Sequence, residues 1–297
     1  MTRMLVAASL WCIAALPLAA QPKLLVNAQV DTRSAAAGLD SVFHALLGQQ
    51  PQPAWIGYSV PVVRNGGLGC EYVRDNFNSP GVVHLEPPDH AVILLRVESG
   101  AVMRIRSLSP DCEIDAGGLP VHWLTDVAPA ESIALLASLI PTREITGDGA
   151  LAAIAVHNDP AADTILDRYL APNQPETLRL RAVSWMGAYR GRHGFETLKK
   201  IIAEDADNRV RERAVTALGT SKEPDAGPLL ISIARGDANA RLREQAGEFR
   251  RDRRMSRAVR SLPDGHSGNH GRSQDKRHAR ALTPCRAVAL FAVDRLQ

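Results

Sequence analysis

Three polar side chains in the N-terminal half could act together in acid–base catalysis or metal binding. They are Glu113, Asp115 and His122, and Gly117 and Gly118 between them would let a ligand approach the backbone closely. Two carboxylates and an imidazole suit proton transfer or zinc binding if they converge. The chain has no H-E-x-x-H pair, nucleophile elbow, Walker loop or G-x-G-x-x-G turn. We therefore interpret the stretch as a polar loop, expect no metal or other cofactor, and keep the three residues as candidates for an alternative, catalytic function.

The segment that must position these residues, 21–145, is predicted to be a small mixed α/β domain with a mostly antiparallel sheet. Runs rich in β-branched and aromatic residues predict strands, and apolar residues three and four apart predict helices. Strands are expected at 55–63, 82–85, 91–97 and 101–108, and helices at 34–48 and 132–140. The last two strands form a hairpin, in which Val102, Arg104 and Arg106 alternate with Met103, Ile105 and Ser107. His84, Asp89 and His90 are further polar residues near the loop.

The cysteines predict a structural disulfide. Cys70 and Cys112 lie in the segment 21–145, whereas Cys12 lies in residues 1–20 and Cys285 in the C-terminal tail, 250–297. Two cysteines in one small exported domain most simply form a disulfide. A closed loop of about forty residues contributes roughly 3 to 4 kcal/mol in the chain-entropy model. A redox or metal role is the rival interpretation, and the absence of any Cys-x-x-Cys pair argues against it.

Residues 1–20 have the pattern of a secretory signal peptide. Arg3 supplies the positive charge, an apolar run follows over 4–16, and Ala19 and Ala20 precede the expected cleavage site. The run is too short to span a bilayer, so we expect it to be removed and the mature chain to carry no transmembrane segment. The protein is then periplasmic or secreted. An uncleaved anchor is the alternative.

The most regular feature of the chain is a pattern repeated every 32 residues. The copies begin Pro175-x-x-Leu178-Arg179-x-x-Ala182, Asp207-x-x-Val210-Arg211-x-x-Ala214 and Asn239-x-x-Leu242-Arg243-x-x-Ala246, and a weaker copy with Ala150, Leu166 and Leu170 precedes them. Apolar spacing within the copies predicts helix pairs at 176–189 and 192–203, and at 208–219 and 224–235. Asp207 and Asn239 stand where they can cap their helices, and Pro224 is expected in a first turn. A fixed period of this length predicts stacked helix pairs.

This pattern resembles the HEAT repeat over residues 146–249. The resemblance implies a mainly α fold, a right-handed α–α solenoid of helix pairs of the HEAT/PBS-lyase-like kind. It also implies a ladder between adjacent repeats that involves Asp207, Arg179, Arg211 and Arg243. The small residues Ala182, Ala214 and Ala246 allow paired helices to approach closely. With its N-terminal domain at 21–145, the chain resembles exported bacterial proteins that carry HEAT arrays.

The resemblance also indicates where a partner would bind, because second helices of HEAT-like pairs normally line the concave face. The expected contact residues are Glu196, Lys199, Lys200, Glu204, Asp225, Ser232 and Arg235. Their mixed charge fits a protein partner better than a polyanion. We therefore expect a non-catalytic protein–protein interaction scaffold of the cell envelope. The alternative is an enzyme, a lyase, hydrolase or HEAT-type oxidoreductase, although the chain lacks the His-Glu dipeptides that hold iron in deoxyhypusine hydroxylase.

The C-terminal tail, 250–297, differs in composition from the rest of the chain. It carries twelve Lys or Arg and four Asp or Glu, a net charge of +8, whereas residues 1–249 have a net charge of −5. A nucleic-acid interface needs basic residues on the folded surface, so we expect no nucleic-acid partner for the folded part. The Gly-, Arg- and His-rich tail predicts disorder. A natural basic tail and a change of reading frame that truncates a longer array both remain open.

Overall fold

A computed structural model of the chain describes residues 25–49, 53–63, 68–70, 88–141 and 144–249. The leader expected at 1–20, the strand expected at 82–85 and the tail at 250–297 lie outside these ranges. The strands are β1 (Leu25–Val26), β2 (Gln29–Ser34), β3 (Ala54–Pro61), β4 (His90–Glu98), β5 (Ala101–Leu108), β6 (Ile114–Asp115) and β7 (Pro120–Thr125). The helices are α1 (Leu39–Gln49), α2 (Pro129–Leu139), α3 (Glu144–Val156), α4 (Ala161–Leu170), α5 (Glu176–Tyr189), α6 (Gly191–Glu204), α7 (Asn208–Thr220), α8 (Ala226–Gly236) and α9 (240–249).

Five of the strands form a mixed sheet in the order β2-β7-β3-β4-β5. β7 pairs in parallel with both β2 and β3, whereas β3, β4 and β5 are antiparallel to their neighbours. The expectation of a mostly antiparallel sheet is therefore wrong for half of it. The reason is α1, which connects β2 to β3 as a helical crossover, so that the two strands point the same way and β7 fits between them. β1 and β6 pair in parallel as a separate ribbon.

The hairpin of β4 and β5 contains a bulge that the sequence pattern does not reveal. Val97 pairs with Val102, but the next pair is Arg96 with Arg104, so Met103 is an extra residue in β5. Val102 is buried against the helices, and Ile105 is buried on the same side. Because side chains alternate along a strand, the bulge directs Arg104 and Arg106 to the opposite face of the sheet.

One face of the sheet is covered by helices. Ile56, Tyr58 and Ile93 point into this layer and are fully buried. Gly149 of α3 lets that helix approach β5 closely, because a Cβ at this position would lie 2.9 Å from the Ile105 carbonyl oxygen. The core formed here continues through the helical repeats. The sheet and the repeats are thus packed on one shared core.

The helix pairs predicted from the repeat are present in the structure. α5, α6, α7 and α8 begin and end within two residues of the predicted bounds. Pro224 lies in a turn before α8, so it precedes the helix and does not occupy its first turn. The first helices of the pairs pack side by side, with α5 between α3 and α7. The chain therefore contains a helical repeat region next to the sheet.

Close packing of α5 on α7 depends on a glycine. A Cβ at Gly187 would lie 2.6 Å from the carbonyl carbon of Ala217 and even closer to its oxygen. Gly219, 32 residues later, occupies the equivalent place, where a Cβ would meet the Phe249 ring of α9 at 2.5 Å. Both distances are far shorter than van der Waals contact, so only glycine fits without displacing its neighbour.

The repeated arginines connect consecutive helix pairs. Their bonds run from Arg179 Nε to Leu170 O (3.1 Å), from Arg211 Nε to Ile202 O (2.8 Å) and from Arg243 Nη1 to Asp237 O (2.6 Å). Each acceptor is a carbonyl in the last turn of the preceding second helix or just after it. Such carbonyls have no partner within their own helix. Each guanidinium lies on the first helix of one pair and donates a hydrogen bond to the C-terminal end of the second helix of the preceding pair.

Asp207 has a different role from the one that the HEAT resemblance implied. Its Oδ1 accepts a hydrogen bond from Arg209 N at 2.8 Å and caps α7. The carboxylate that pairs with Arg179 is Asp205, at 2.5 Å between Nη2 and Oδ2, and the two side chains are only 6% and 13% exposed. Asn239 caps α9 in the same manner as Asp207. Capping and inter-repeat pairing are thus divided between two acidic residues.

Candidate functional site

The face of the sheet opposite the helices carries a cavity of about 300 Å³, which we call the sheet cavity. The described residues that line it are Leu25, Trp55, Cys70, Leu94, Arg104, Arg106, Leu108, Cys112, Glu113, Ile114, Asp115, Ala116 and Val121. The floor is apolar, because Leu94 packs there with Val92 and Trp123 in a small hydrophobic cluster. Gly57 keeps this floor flat, since a Cβ would lie 2.8 Å from Leu94 Cδ2. The cavity therefore combines an apolar base with charged side chains.

Cys70 and Cys112 lie at the wall of the sheet cavity. Their sulfur atoms are 1.98 Å apart, at disulfide-bonding distance, and their Cα atoms are 5.4 Å apart. The pair joins the segment after β3 to the segment between β5 and β6, across a sequence separation of 42 residues. It fixes the loop that carries the acidic residues of the cavity.

Two of the three residues singled out for possible catalysis reach the cavity. Glu113 and Asp115 both line it and are exposed. Asp115 also builds the loop, because its Oδ1 accepts hydrogen bonds from Asn27 Nδ2 at 3.1 Å and from Gly117 N at 2.7 Å. Within the described residues, Glu113 takes part in no hydrogen bond or ion pair. The Asp115 side chain thus fixes the turn at Gly117 and ties the loop to Asn27.

His122 does not join these two carboxylates. It lies between Val121, which lines the cavity, and Trp123, which belongs to the cavity floor, so strand alternation directs it to the other face of the sheet. There its Nδ1 lies 3.4 Å from Asp31 Oδ2. The Arg33 guanidinium, together with His122, holds the pKa of the exposed Asp31 carboxyl below its usual range. The three candidates therefore do not converge on one reacting atom.

Asp89 and His90, two further polar candidates of the sequence, do not line the cavity. His90 is exposed at the start of β4 and its Nδ1 lies 2.8 Å from Asp89 Oδ1. His84 lies outside the described residues. Across those residues, no group of three or more His, Cys, Asp or Glu side chains is placed to hold a metal ion.

The sequence analysis missed Arg104 and Arg106 as members of the cavity. They are two residues apart on β5, and after the bulge both side chains face it. Arg106 is half-buried, and burial lowers the pKa of its guanidinium. Their i, i+2 spacing was visible in the sequence. The bulge that assigns them to this face was not, because it depends on pairing with β4.

A second arrangement that the sequence did not indicate is a buried hydrogen-bonded chain between the sheet and the helices. Ser132 Oγ lies 2.9 Å from His157 Nε2 and 2.9 Å from Tyr58 Oη. His157 Nδ1 is 2.7 Å from the Ala153 carbonyl, which can only accept, so Nδ1 carries the proton. Ser132 then donates to Nε2 and Tyr58 donates to Ser132. Each hydroxyl and ring nitrogen of these three side chains therefore has a hydrogen-bond partner.

The distances within this hydrogen-bonded network are those of a catalytic nucleophile and its base, but its other properties are not. Tyr58, Ser132 and His157 are all fully buried, and none of them lines the sheet cavity. Burial lowers the pKa of His157 to about 4 and raises that of Tyr58. A neutral imidazole and a neutral phenol suit a polar contact within a core. The arrangement connects β3, α2 and the end of α3, and it offers a substrate no access.

The expected binding residues lie on α6, at the start of α8 and on α8. All seven are exposed: Glu196, Lys199, Lys200, Glu204, Asp225, Ser232 and Arg235. We call the exposed residues of α6 and α8, with Asp225, the second-helix face. Ile231 is 37% exposed and lies one helical turn from Arg235 on α8. The face therefore presents both charges and an apolar side chain.

Arg192, which the sequence analysis did not single out, connects the two helices of this face. Its guanidinium lies 2.6 Å from Glu196 on its own helix and 2.5 Å from Asp225 before the next second helix. It also lies 5.0 Å from the centroid of the Phe195 ring. Exposed pairs such as these contribute little to stability. Their effect is to hold the side chains in a defined pattern on the surface.

Comparison with known proteins identifies part of this helical region. Residues 162–248 match the family model of HEAT repeats. No curated protein matches the chain. Among the described residues, no helix has the length and apolar character needed to cross a membrane.

Proposed function

We propose that the protein is a non-catalytic scaffold that binds a protein partner through its second-helix face. HEAT repeats generally mediate protein–protein interactions, and the match to this family covers α5, α6, α7 and α8. The observation that carries the proposal is the common exposure of the seven predicted contact residues on two successive second helices. The helix pairs stack in our proposal as a right-handed α–α solenoid whose concave side is this face.

The chemistry of the face supports a folded protein as the partner. Its charges are mixed in sign, with Glu196 beside Lys199 and Asp225 at the start of the helix that carries Arg235. Such patterns select a partner by complementary charge and disfavour a uniformly charged polymer. Ile231 supplies an apolar contact among them, and arginines beside apolar contacts are frequent in the energetic centre of interfaces.

We further propose that the protein works in the cell envelope after export. The Cys70–Cys112 pair supports this location, because disulfides persist in oxidising compartments outside the cytoplasm. The signal-like pattern of residues 1–20 supports it from the sequence. Mass spectrometry of the purified native protein tests it. A mature N-terminus near Gln21 agrees with export, whereas an intact Met1 in a cytoplasmic fraction contradicts it.

Site-specific crosslinking tests the proposed face. A photo-reactive amino acid replaces Lys200 or Arg235 on the second-helix face, and Arg209 of α7 serves as the matched first-helix position. All three side chains are exposed, so substitution leaves the core unchanged. We expect the same protein adduct from positions 200 and 235 and none from 209. Equal adducts from all three positions, or none from any, would contradict the proposal.

A further inference from the structure

The sheet cavity carries a set of groups that the scaffold function does not use. Arg104 and Arg106 project into it from β5, and Glu113 and Asp115 reach it from the loop held by Cys112. Among the described lining residues, these two guanidinium groups and two carboxylates carry equal and opposite charge. A ligand that carries only negative or only positive charge would face one unfavourable pair. A ligand that carries one of each would be matched.

The apolar side of the cavity defines the rest of such a ligand. Trp55, Leu94, Leu108 and Val121 form this side, and Leu94 is almost fully buried in the cluster beneath. Most small-molecule pockets show this combination of apolar walls with a few polar groups that fix orientation. An aliphatic or aromatic side chain is the natural occupant. The apolar contacts add affinity by removing surface from water.

The size of the cavity limits the ligand to a small molecule. Its volume of about 300 Å³ is at the lower end of the range of about 300 to 1,000 Å³ that is usual for ligand pockets. The Cys70–Cys112 pair and the β5 bulge hold the opposing walls in place. A preformed site of this size loses little entropy on binding a compact ligand.

We propose that the sheet cavity binds a free amino acid with an apolar side chain, in its zwitterionic form. Arg104 receives the α-carboxylate, because a guanidinium group binds a carboxylate through paired N–H donors. Glu113, whose carboxylate is exposed at the cavity, receives the α-ammonium group. The side chain of the ligand lies against Trp55 and Leu94. The cavity lies on the sheet and shares no residue with the second-helix face on α6 and α8, so this binding is independent of that face.

Isothermal titration calorimetry of the full chain with three probes tests the proposal. L-leucine carries both charges, 4-methylpentanoate lacks the ammonium group, and isopentylamine lacks the carboxylate. We expect saturable binding of leucine and weaker binding of the other two. One charge-assisted hydrogen bond corresponds to roughly a 10- to 100-fold change in affinity. Binding of none of the probes, or equal binding of all three, overturns the proposal.

Two cavity variants and one control assign the contacts. Arg104→Gln should weaken the binding of leucine and 4-methylpentanoate alike, whereas Glu113→Gln should weaken leucine and leave 4-methylpentanoate unchanged. Arg241→Gln, on the exposed surface of α9, removes the same charge away from the cavity and should change neither. Arg104 and Glu113 are exposed, and thermal unfolding confirms that each variant is folded. Leucine binding that is unaffected by both cavity variants contradicts the assignment. Binding of a leucine dipeptide with no binding of leucine also contradicts it and indicates a peptide site.

Discussion

Gly187→Ala tests the packing of consecutive helix pairs most sharply. The new methyl group would lie 2.6 Å from the carbonyl carbon of Ala217. This obstacle is backbone inside a helix, so α5 and α7 would have to move apart by about 1 Å to reach ordinary contact. Overpacking of this kind costs about 1 to 3 kcal/mol, and a rigid backbone neighbour places the cost near the upper limit. The higher helix propensity of alanine returns about 1 kcal/mol. We expect a net loss of about 2 kcal/mol in the free energy of unfolding.

Two other glycines provide matched controls in the same repeats. Gly236 is the last residue of α8, and a Cβ there would meet nothing within 4 Å, so Gly236→Ala should be neutral or stabilising by up to about 1 kcal/mol. At Gly219 the obstacle is the Phe249 side chain, which can rotate. The effect of Gly219→Ala on the free energy of unfolding should therefore lie between those of Gly187→Ala and Gly236→Ala. Thermal unfolding measures all three, with a Tm decrease of about 4 to 8 °C for Gly187→Ala. A Gly187→Ala protein as stable as wild type, or a Gly236→Ala protein equally destabilised, would refute the reasoning.

Three further results are expected. Urea unfolding of Arg179→Met should show a loss of about 3 kcal/mol, because it leaves the Asp205 carboxylate buried without its arginine partner; Arg209→Met, at the exposed pair with Glu176, should cost less than about 1 kcal/mol. Lowering the pH from 6.5 towards 4 should progressively remove about 3 kcal/mol of stability, since the unfolded chain protonates its histidine near pH 6.5 while burial keeps the pKa of His157 at about 4. Full stability is present above pH 6.5, and urea midpoints of His157→Gln should lack this pH dependence; an unchanged slope in that variant would count against the buried neutral imidazole. Cys112→Ser should lower the free energy of unfolding by about 3 to 4 kcal/mol, and a denaturation midpoint insensitive to both this change and a reductant would contradict a structural disulfide.

The helical repeats were predictable because their signals are local. Apolar spacing and the cap at Asp207 give the position of α7 within one residue. The helix predicted to start at Pro224 starts two residues later, because a proline favours a turn before a helix as well as its first turn. The arginine contacts needed the structure. Which acidic residue meets Arg179 depends on how consecutive pairs stack, and Asp205 and Asp207 are equally plausible from sequence.

The sheet was less predictable because its pairings are not local. A helix was expected at 34–48, and the structure has α1 at Leu39–Gln49, which begins five residues later because residue 34 still belongs to β2. The sequence does not show that this helix leads to a strand parallel to β7. The register of β5 is set by its partner, and the bulge at Met103 assigns Arg104 and Arg106 to the cavity. The contact of Ser132 with His157 likewise joins residues 25 positions apart in sequence. The charged lining of the sheet cavity and the buried Ser132–His157 contact both depend on long-range packing, so local sequence patterns do not reveal them.

The most direct test of the scaffold proposal is the affinity of the crosslinked partner for two triple charge-reversal variants. One variant carries Lys199→Glu, Lys200→Glu and Arg235→Glu on the second-helix face. The other carries Arg181→Glu, Arg209→Glu and Arg241→Glu on the first helices, all six residues being exposed. Both variants change the net charge equally, so a general electrostatic effect would weaken both. The proposal predicts that the first variant loses binding at least tenfold, a change of about 1.4 kcal/mol, and that the second binds as the unaltered protein does. Equal affinities of the two variants would contradict the proposal.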